Sequence, residues 1–302
     1  MTVPTPTPTH APVLVTGGTG TLGRHVVPLL RAAGRDVRVL TRNPRPAADG
    51  VQYVAGDLLT VADGTGVDGT GVDGTGVDGT GVDGTGLDAA LAGVEVVLHL
   101  AGDAKNDEAT TRNLVAAAQR AGVKHLLYIS VIGADRVPLG YFRAKHAAEQ
   151  AVVGSGIPYT TLRAAQFHDL TAKTAAAMGR LPLVPGLGGM RWEPVDARDV
   201  AERLVGLALA APAGLVADLA GPAVRTLGDL TRDYLAAAGK RRPTVPLRVP
   251  GKVGRCYREG ANLARPGADR GTRTWEAFLT ETFPAGPATG TAAVVAARVR
   301  TS

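Results

Sequence analysis

"PVLVTGGTGTLGRHVVPLLRAAG" occupies residues 12–34, and its reading decides the fold. It opens on a short apolar run, Val13–Val15, that suits a buried strand. It then crosses Gly17, Gly20 and Gly23 in a G-x-x-G-x-x-G spacing, and runs on from Thr21 with helical periodicity to Gly34. Strand, tight glycine turn and helix in that order make an anion site. Glycines let the backbone turn sharply and approach a pyrophosphate, while unpaired N–H groups and the helix dipole hold its negative charge. Gly17, Thr19, Gly20, Thr21, Leu22 and Gly23 are therefore the candidate dinucleotide-binding residues.

Outward from this unit, β-branched runs alternate with Ala-rich helical segments. The expected strands are 12–16, 36–41, 51–56, 94–101, 125–130 and 158–164. Segments such as "DEATTRNLVAAAQRAG" (107–122) provide the crossovers between them. Alternation of this kind implies right-handed βαβ units and a parallel sheet covered on both faces. The fold class is α/β, a Rossmann-type doubly wound parallel sheet with a small irregular C-terminal substrate lobe. The NAD(P)-binding domain is expected over 12–210, with substrate-side loops at 165–195, the lobe at 211–283 and a flexible tail at 284–302. Thr226 is read as the start of a helix to 239, and "DARDVAERLVGLALA" (196–210) as another.

The remaining composition narrows the function. The net charge is +6, yet only 6 of 33 basic residues are lysines and the arginines are scattered without interleaved aromatics, which argues against nucleic acid. "KRRPTVPLRVPGK" (240–252), the one local concentration, reads as a solvated turn before an extended segment. Cys256 is the single cysteine, so no internal disulfide forms, which fits a reducing cytoplasm. Residues 1–11 are Pro/Thr-rich and read as a disordered lead-in rather than a signal peptide. Pro212 and Asp218 interrupt the longest apolar stretch, 204–221, so no membrane span is expected. The six histidines show no metal-ligand spacing, and no metal is expected.

Five turns of a "DGTGV"-type unit fill residues 63–87. A period of five fits neither an EF-hand loop nor a nine-residue calcium roll, and the run has no strand aiming its glycines and no helix behind them. It reads as a flexible insertion between the third strand and the short helix "LDAALAG", tolerated because loop-closure entropy grows slowly with length.

Two further groups carry chemistry. Arg42 ends the second strand, where a cation accommodates the 2′-phosphate of NADP(H); a solvated arginine in an Arg-rich chain is the alternative. Asp57 and the following backbone at Leu58 are placed to address the adenine edge, or form an ordinary turn. Ser130 ends the fifth strand, and Tyr141 and Lys145 lie four apart on one face of the next helix. Carbonyl reduction needs such a trio: a hydroxyl to place the carbonyl oxygen, an acid to protonate it, and a cation to lower that acid's pKa. Gln166, Phe167 and His168 follow the sixth strand on the substrate side. His168 either assists proton transfer or is an ordinary loop residue.

The glycine motif, "GDL", "LHLAG", the Ser130/Tyr141/Lys145 set, "TTLRAAQF" and "RWEPVDARDVAERL" together resemble the atypical short-chain dehydrogenase/reductase superfamily, its NmrA-like NAD(P)-binding branch in particular, over about residues 12–280. The resemblance implies Tyr141 as acid/base, Lys145 on the nicotinamide ribose, Ser130 orienting the carbonyl, and Ala101 and Gly102 along the adenine ribose. The function expected is an NADP(H)-dependent oxidoreductase, preferring NADP(H) over NAD(H), that passes hydride to a small carbonyl or quinone-like substrate. The alternatives are a non-catalytic NADP(H)-sensing regulator and a nucleotide-sugar epimerase. Partners are expected to be a small-molecule substrate and a second copy in a homodimer.

Overall fold

The computed structural model describes residues 11–43, 45–59, 85–102, 106–187 and 189–284. The first half is built from β1 (Val13–Thr16), α1 (Gly23–Ala32), β2 (Val37–Thr41), β3 (Val51–Ala55), α2 (Thr85–Leu91), β4 (Val96–His99), α3 (Asp107–Arg120), β5 (His125–Val131), α4 (Gly140–Val153) and β6 (Tyr159–Ala164). The second half adds α5 (His168–Met178), β7 (Val184–Leu187), β8 (Arg191–Trp192), α6 (Ala197–Ala208), β9 (Gly214–Leu215), β10 (Leu219–Ala220), β11 (Arg225–Thr226), α7 (Leu227–Ala237), β12 (Thr244–Leu247), α8 (Gly251–Glu259), β13 (Asp269–Arg270) and α9 (Trp275–Thr282). Among the described residues the main sheet has nine strands in the order β13-β10-β6-β5-β4-β1-β2-β3, with β9 also beside β6. Every pairing in it is parallel.

Strand alternation sorts the core into two layers. Val13 and Val15 of β1 and Leu127 and Ile129 of β5 face α1 and α6, whereas Leu14, Leu126 and Tyr128 face α2, α3 and α4. The chain winds outward from β1 through β2 to β3, then returns to β4 on the other side of β1. That reversal leaves a crevice at the carboxyl ends of the strands, where α/β sheets bind their ligands. A third apolar cluster unites Val131, Phe142, Trp192, Leu230, Tyr257 and Trp275, and fastens the C-terminal elements to the β5–α4 junction beside that crevice.

The six expected strands form, and Thr226 caps α7 by accepting from the Asp229 N–H at 3.1 Å. Thr244–Leu247 is extended and exposed, paired with β7. Three expectations need correction. The stretch read as substrate-side loops at 165–195 contains α5, whose Ala-rich sequence lacks a strong apolar stripe. The segment read as a separate lobe at 211–283 contributes β9, β10 and β13 to the main sheet. A two-residue strand is too short for a period to be read in it. The insertion read over 63–87 ends sooner, because residues 85–87 start α2 and Leu87, leucine where earlier units carry valine, is buried beside Leu40 and Leu91. Otherwise the repeat, the N-terminal lead-in before Ala11 and the tail beyond Pro284 lie outside the described residues.

Candidate active site

The carboxyl ends of β1, β2, β4, β5 and β6 open into one cleft of about 580 Å³. Its phosphate end is the turn between β1 and α1. Gly17 has φ +69°, and a Cβ there would sit 2.7 Å from the Ala101 nitrogen, so only glycine lets this turn rest on the segment after β4. Gly23 lies beneath, outside the cleft lining, where a Cβ would collide with the Gly17 carbonyl and Gly18. Its bareness lets α1 begin directly under the turn. Thr19, Gly20, Thr21 and Leu22 line the cleft, and α1 has neither a side-chain cap nor an acidic residue in its first turn. Its positive end is therefore uncompensated by any nearby carboxylate of its own and suits a pyrophosphate.

Thr16, which sequence reading passed over, ties this end together. Its hydroxyl pairs with His99 Nδ1 at 2.7 Å and accepts from the Ala101 N–H at 3.3 Å. His99 is fully buried, its Nε2 3.0 Å from Thr111 Oγ1; burial, with the Lys145 charge, lowers its pKa to about 3, so the ring is neutral. Ala101 and Gly102 follow, both on the cleft wall.

At the other rim, Arg42 is exposed at the end of β2 and pairs with no described carboxylate. Asp57 lines the cleft while its Oδ1 accepts from the Leu59 N–H at 3.0 Å, and the Leu58 carbonyl is held by Asn113 at 2.8 Å. The loop after β3 is thus fixed from both directions.

Ser130, Tyr141, Lys145, Gln166 and Phe167 line the reactive end of the same cleft. Ser130 Oγ and Gln166 Oε1 are buried and have no hydrogen-bond partner among the described residues. Lys145 is buried: its Nζ donates to the Ile129 carbonyl at 3.2 Å, lies 3.2 Å from Asp107 Oδ2, and sits 4.9 Å from the centre of the Tyr128 ring. Tyr141 is 39% exposed. The expectation that the neighbouring ammonium lowers its pKa is overturned: desolvation of the phenolate and the Asp107 charge push it up to about 12. Lys145, for its part, already carries a carboxylate partner. Asp107, at the start of α3, was not singled out from the sequence, and no local spacing announces it.

His168 is the second correction. It is fully buried, its Nε2 3.1 Å from the Pro194 carbonyl and its ring against Trp275 and Phe278, outside the cleft lining. As the first residue of α5 it points into the packing between the sheet and α9, where Asp196 Oδ2 lies 3.6 Å from its Nδ1.

The NmrA-like family matches residues 9–181. Over 271 residues the chain is 31% identical to a (4-alkanoyl-5-oxo-2,5-dihydrofuran-3-yl)methyl phosphate reductase of Streptomyces griseus, covering 85% of this chain and 88% of that protein. It is 28% identical to Quinone oxidoreductase 2 of Escherichia coli, over 76% of this chain and 75% of that one. Among solved structures, an Escherichia coli NADPH-dependent quinone oxidoreductase complexed with NADPH superposes with a TM-score of 0.70 at 22% identity, covering 90% of this chain and 99% of that one.

Proposed function

The chain belongs to the NmrA-like family, and from that premise we propose that its cleft serves an NAD(P)-dependent oxidoreductase of the atypical short-chain dehydrogenase/reductase type, which takes NADPH in preference to NADH and reduces a small carbonyl or quinone-like compound. The observation that carries this reading is the shared cleft. An uncapped helix start at one end and the Ser130, Tyr141 and Lys145 side chains at the other line a single continuous space. The named reductases among the relatives support the class of reaction.

Bound NADPH would supply hydride from its nicotinamide ring; the chain's own residues do the rest. The Gly17–Gly23 turn and the start of α1 hold the pyrophosphate, Arg42 meets the 2′-phosphate, and Asp57 and Leu58 flank the adenine. Ala101 and Gly102 give way to the ribose on the adenine side, and Lys145 donates to the ribose of the nicotinamide. Ser130, with its unpartnered hydroxyl, donates to the substrate oxygen and orients it. Tyr141 transfers its phenolic proton to that oxygen as the carbon is reduced, and the phenolate is reprotonated from solvent across its exposed edge. Gln166 and Phe167 form the wall against which the substrate lies.

NADPH-dependent turnover of a carbonyl and quinone panel by wild type and Tyr141→Phe tests the assignment. A loss of about 100-fold or more in kcat is expected from removing a proton donor. Unchanged turnover in the Phe variant would remove Tyr141 from the chemistry. One observation favours a second reading, in which the protein senses NADP(H) without turnover: Lys145 is already paired with Asp107, and no hydrogen bond joins Tyr141 to Ser130 or Lys145. Tight NADPH binding with no turnover across the panel would select it.

A further inference from the structure

We propose that Asp107 is a positioning residue for this reduction: it anchors the Lys145 ammonium behind Gly102 and, by cancelling that charge, keeps the Tyr141 phenol a proton donor. The inference rests on the oxidoreductase reading above and adds to it a residue outside the cleft lining that sets the form in which the acid is held.

Asp107 is fully buried at the first position of α3. Its Oδ2 accepts the Tyr128 hydroxyl at 2.6 Å and lies 3.2 Å from Lys145 Nζ. Its Oδ1 has no hydrogen-bond partner among the described residues and faces Gly102: a Cβ there would collide with Oδ1 and sit 3.0 Å from Lys145 Nζ. A bare glycine therefore leaves room for the ion pair at the cleft wall, which Lys145 itself lines. The Lys145 side chain, four flexible methylenes on α4, is pinned at its tip from α3 and from β5, by the carboxylate, the Ile129 carbonyl and the Tyr128 ring. The ordering that a long lysine resists is completed before any cofactor arrives.

The charge balance follows from the same contacts. On its own helix Tyr141 is followed by Lys145 one turn on and Glu149 two turns on; Asp107 of α3 and Tyr128 of β5 act on its phenol, while the neutral His99 of β4 lies within the field of Lys145. Glu149 is committed to Arg163 of β6, at 2.8 and 2.7 Å through its two oxygens. Tyr128 is held as a phenol, because burial and the Asp107 carboxylate it bonds both oppose its ionisation. The ammonium that would otherwise favour a phenolate at Tyr141 is met by a carboxylate in direct contact, and the two fields oppose each other at the phenol. Tyr141 accordingly stays protonated through the physiological range, in agreement with its raised pKa. A protonated phenol serves reduction; alcohol oxidation would require the phenolate.

The test uses the full-length protein. Tyrosinate absorbance is titrated without cofactor in wild type and Asp107→Asn, each subtracted from its Tyr141→Phe counterpart to isolate one phenol. Asn keeps the volume and an acceptor for Tyr128 while removing the charge. The Tyr141 titration should move down by about one pH unit or more in Asp107→Asn, and the alkaline limb of kcat for quinone reduction should move with it. Tyr141 titrating at the same pH in both proteins would overturn the proposal. A second variant, Asp107→Leu with Lys145→Met, guards against a folding failure, since replacing a buried pair by apolar residues is commonly tolerated. There Tyr141 should titrate above its value in Asp107→Asn, because the ammonium that acts on it in that variant is gone as well; a titration at or below that of Asp107→Asn would show that Lys145 does not act on the phenol, and would overturn the proposal. The absorbance titration needs no turnover, so a shifted phenol in a protein without reductase activity would sink the reductase reading alone.

Discussion

Arg42 illustrates how far a single residue carries function. It stands exposed at the rim of the cleft with no described carboxylate to neutralise it, so its charge is available to a phosphate at the end of β2. Replacing it by alanine should weaken NADPH about tenfold or more, the worth of a charge-assisted hydrogen bond, and leave NADH unchanged. Titration by nicotinamide fluorescence measures both, and an equal loss for the two cofactors would refute a role in 2′-phosphate recognition. The places of Arg42 and the glycines at 17, 20 and 23 are legible in the sequence because they are local: each lies within a few residues of a strand end. The state of Tyr141 is not. Lys145 is visible four residues away, but the third charge, Asp107, is 38 positions upstream of Lys145 in sequence and 3.2 Å away in space. His168 was misplaced for a related reason. Its position after β6 was read correctly, while the direction of its side chain depends on Trp275 and Phe278, a hundred residues on.

At the scale of elements, α4 brings Tyr141 and Lys145 to the cleft, and a buried ion pair keeps it against the sheet. Glu149 of α4 receives two hydrogen bonds from Arg163 of β6, which also lies 3.1 Å from Asp135 in the connection between β5 and α4. Both partners of the pair are more than nine-tenths buried. Arg163→Met should therefore cost about 3–5 kcal/mol in urea unfolding, because it strands the Glu149 charge inside the protein. The double replacement with Glu149→Leu should recover most of that loss. Recovery would identify the lost stability with the uncompensated charge; a double variant as unstable as the single one would point instead to lost packing. Elements with long periodic patterns, α1, α3, α6 and the strands β1 to β6, could be read directly from the chain. Those that could not were α5, whose alanines leave no clear stripe, and the two-residue strands β9, β10 and β13, which exist only because β6 and its neighbour offer an edge to pair with.

For the whole molecule, the interior histidines link stability to pH. His99 is buried and neutral with a pKa near 3 against an ordinary value of 6.5, and burial also lowers His125. Between those values the unfolded chain binds a proton that folded His99 refuses. Its contribution is therefore complete above pH 6.5 and declines by about 1.4 kcal/mol per unit as the pH falls below it. Urea midpoints measured from pH 7 to pH 5 should fall in wild type and fall less steeply in His99→Gln, which can still bond Thr16 and Thr111 but does not titrate. Parallel slopes would show that His99 does not govern the decline. By itself the sequence determined the alternation of strands and helices, the parallel sheet they imply and the glycine turn where a pyrophosphate fits, since each of these follows from periodicity and sterics acting over a few residues. The tertiary structure alone decided which charges share a dry interior, which way His168 turns, and that the Lys145 ammonium meets the Asp107 carboxylate. Those outcomes depend on distances between residues remote in the chain, and electrostatic energy in a low-dielectric core is set by such distances.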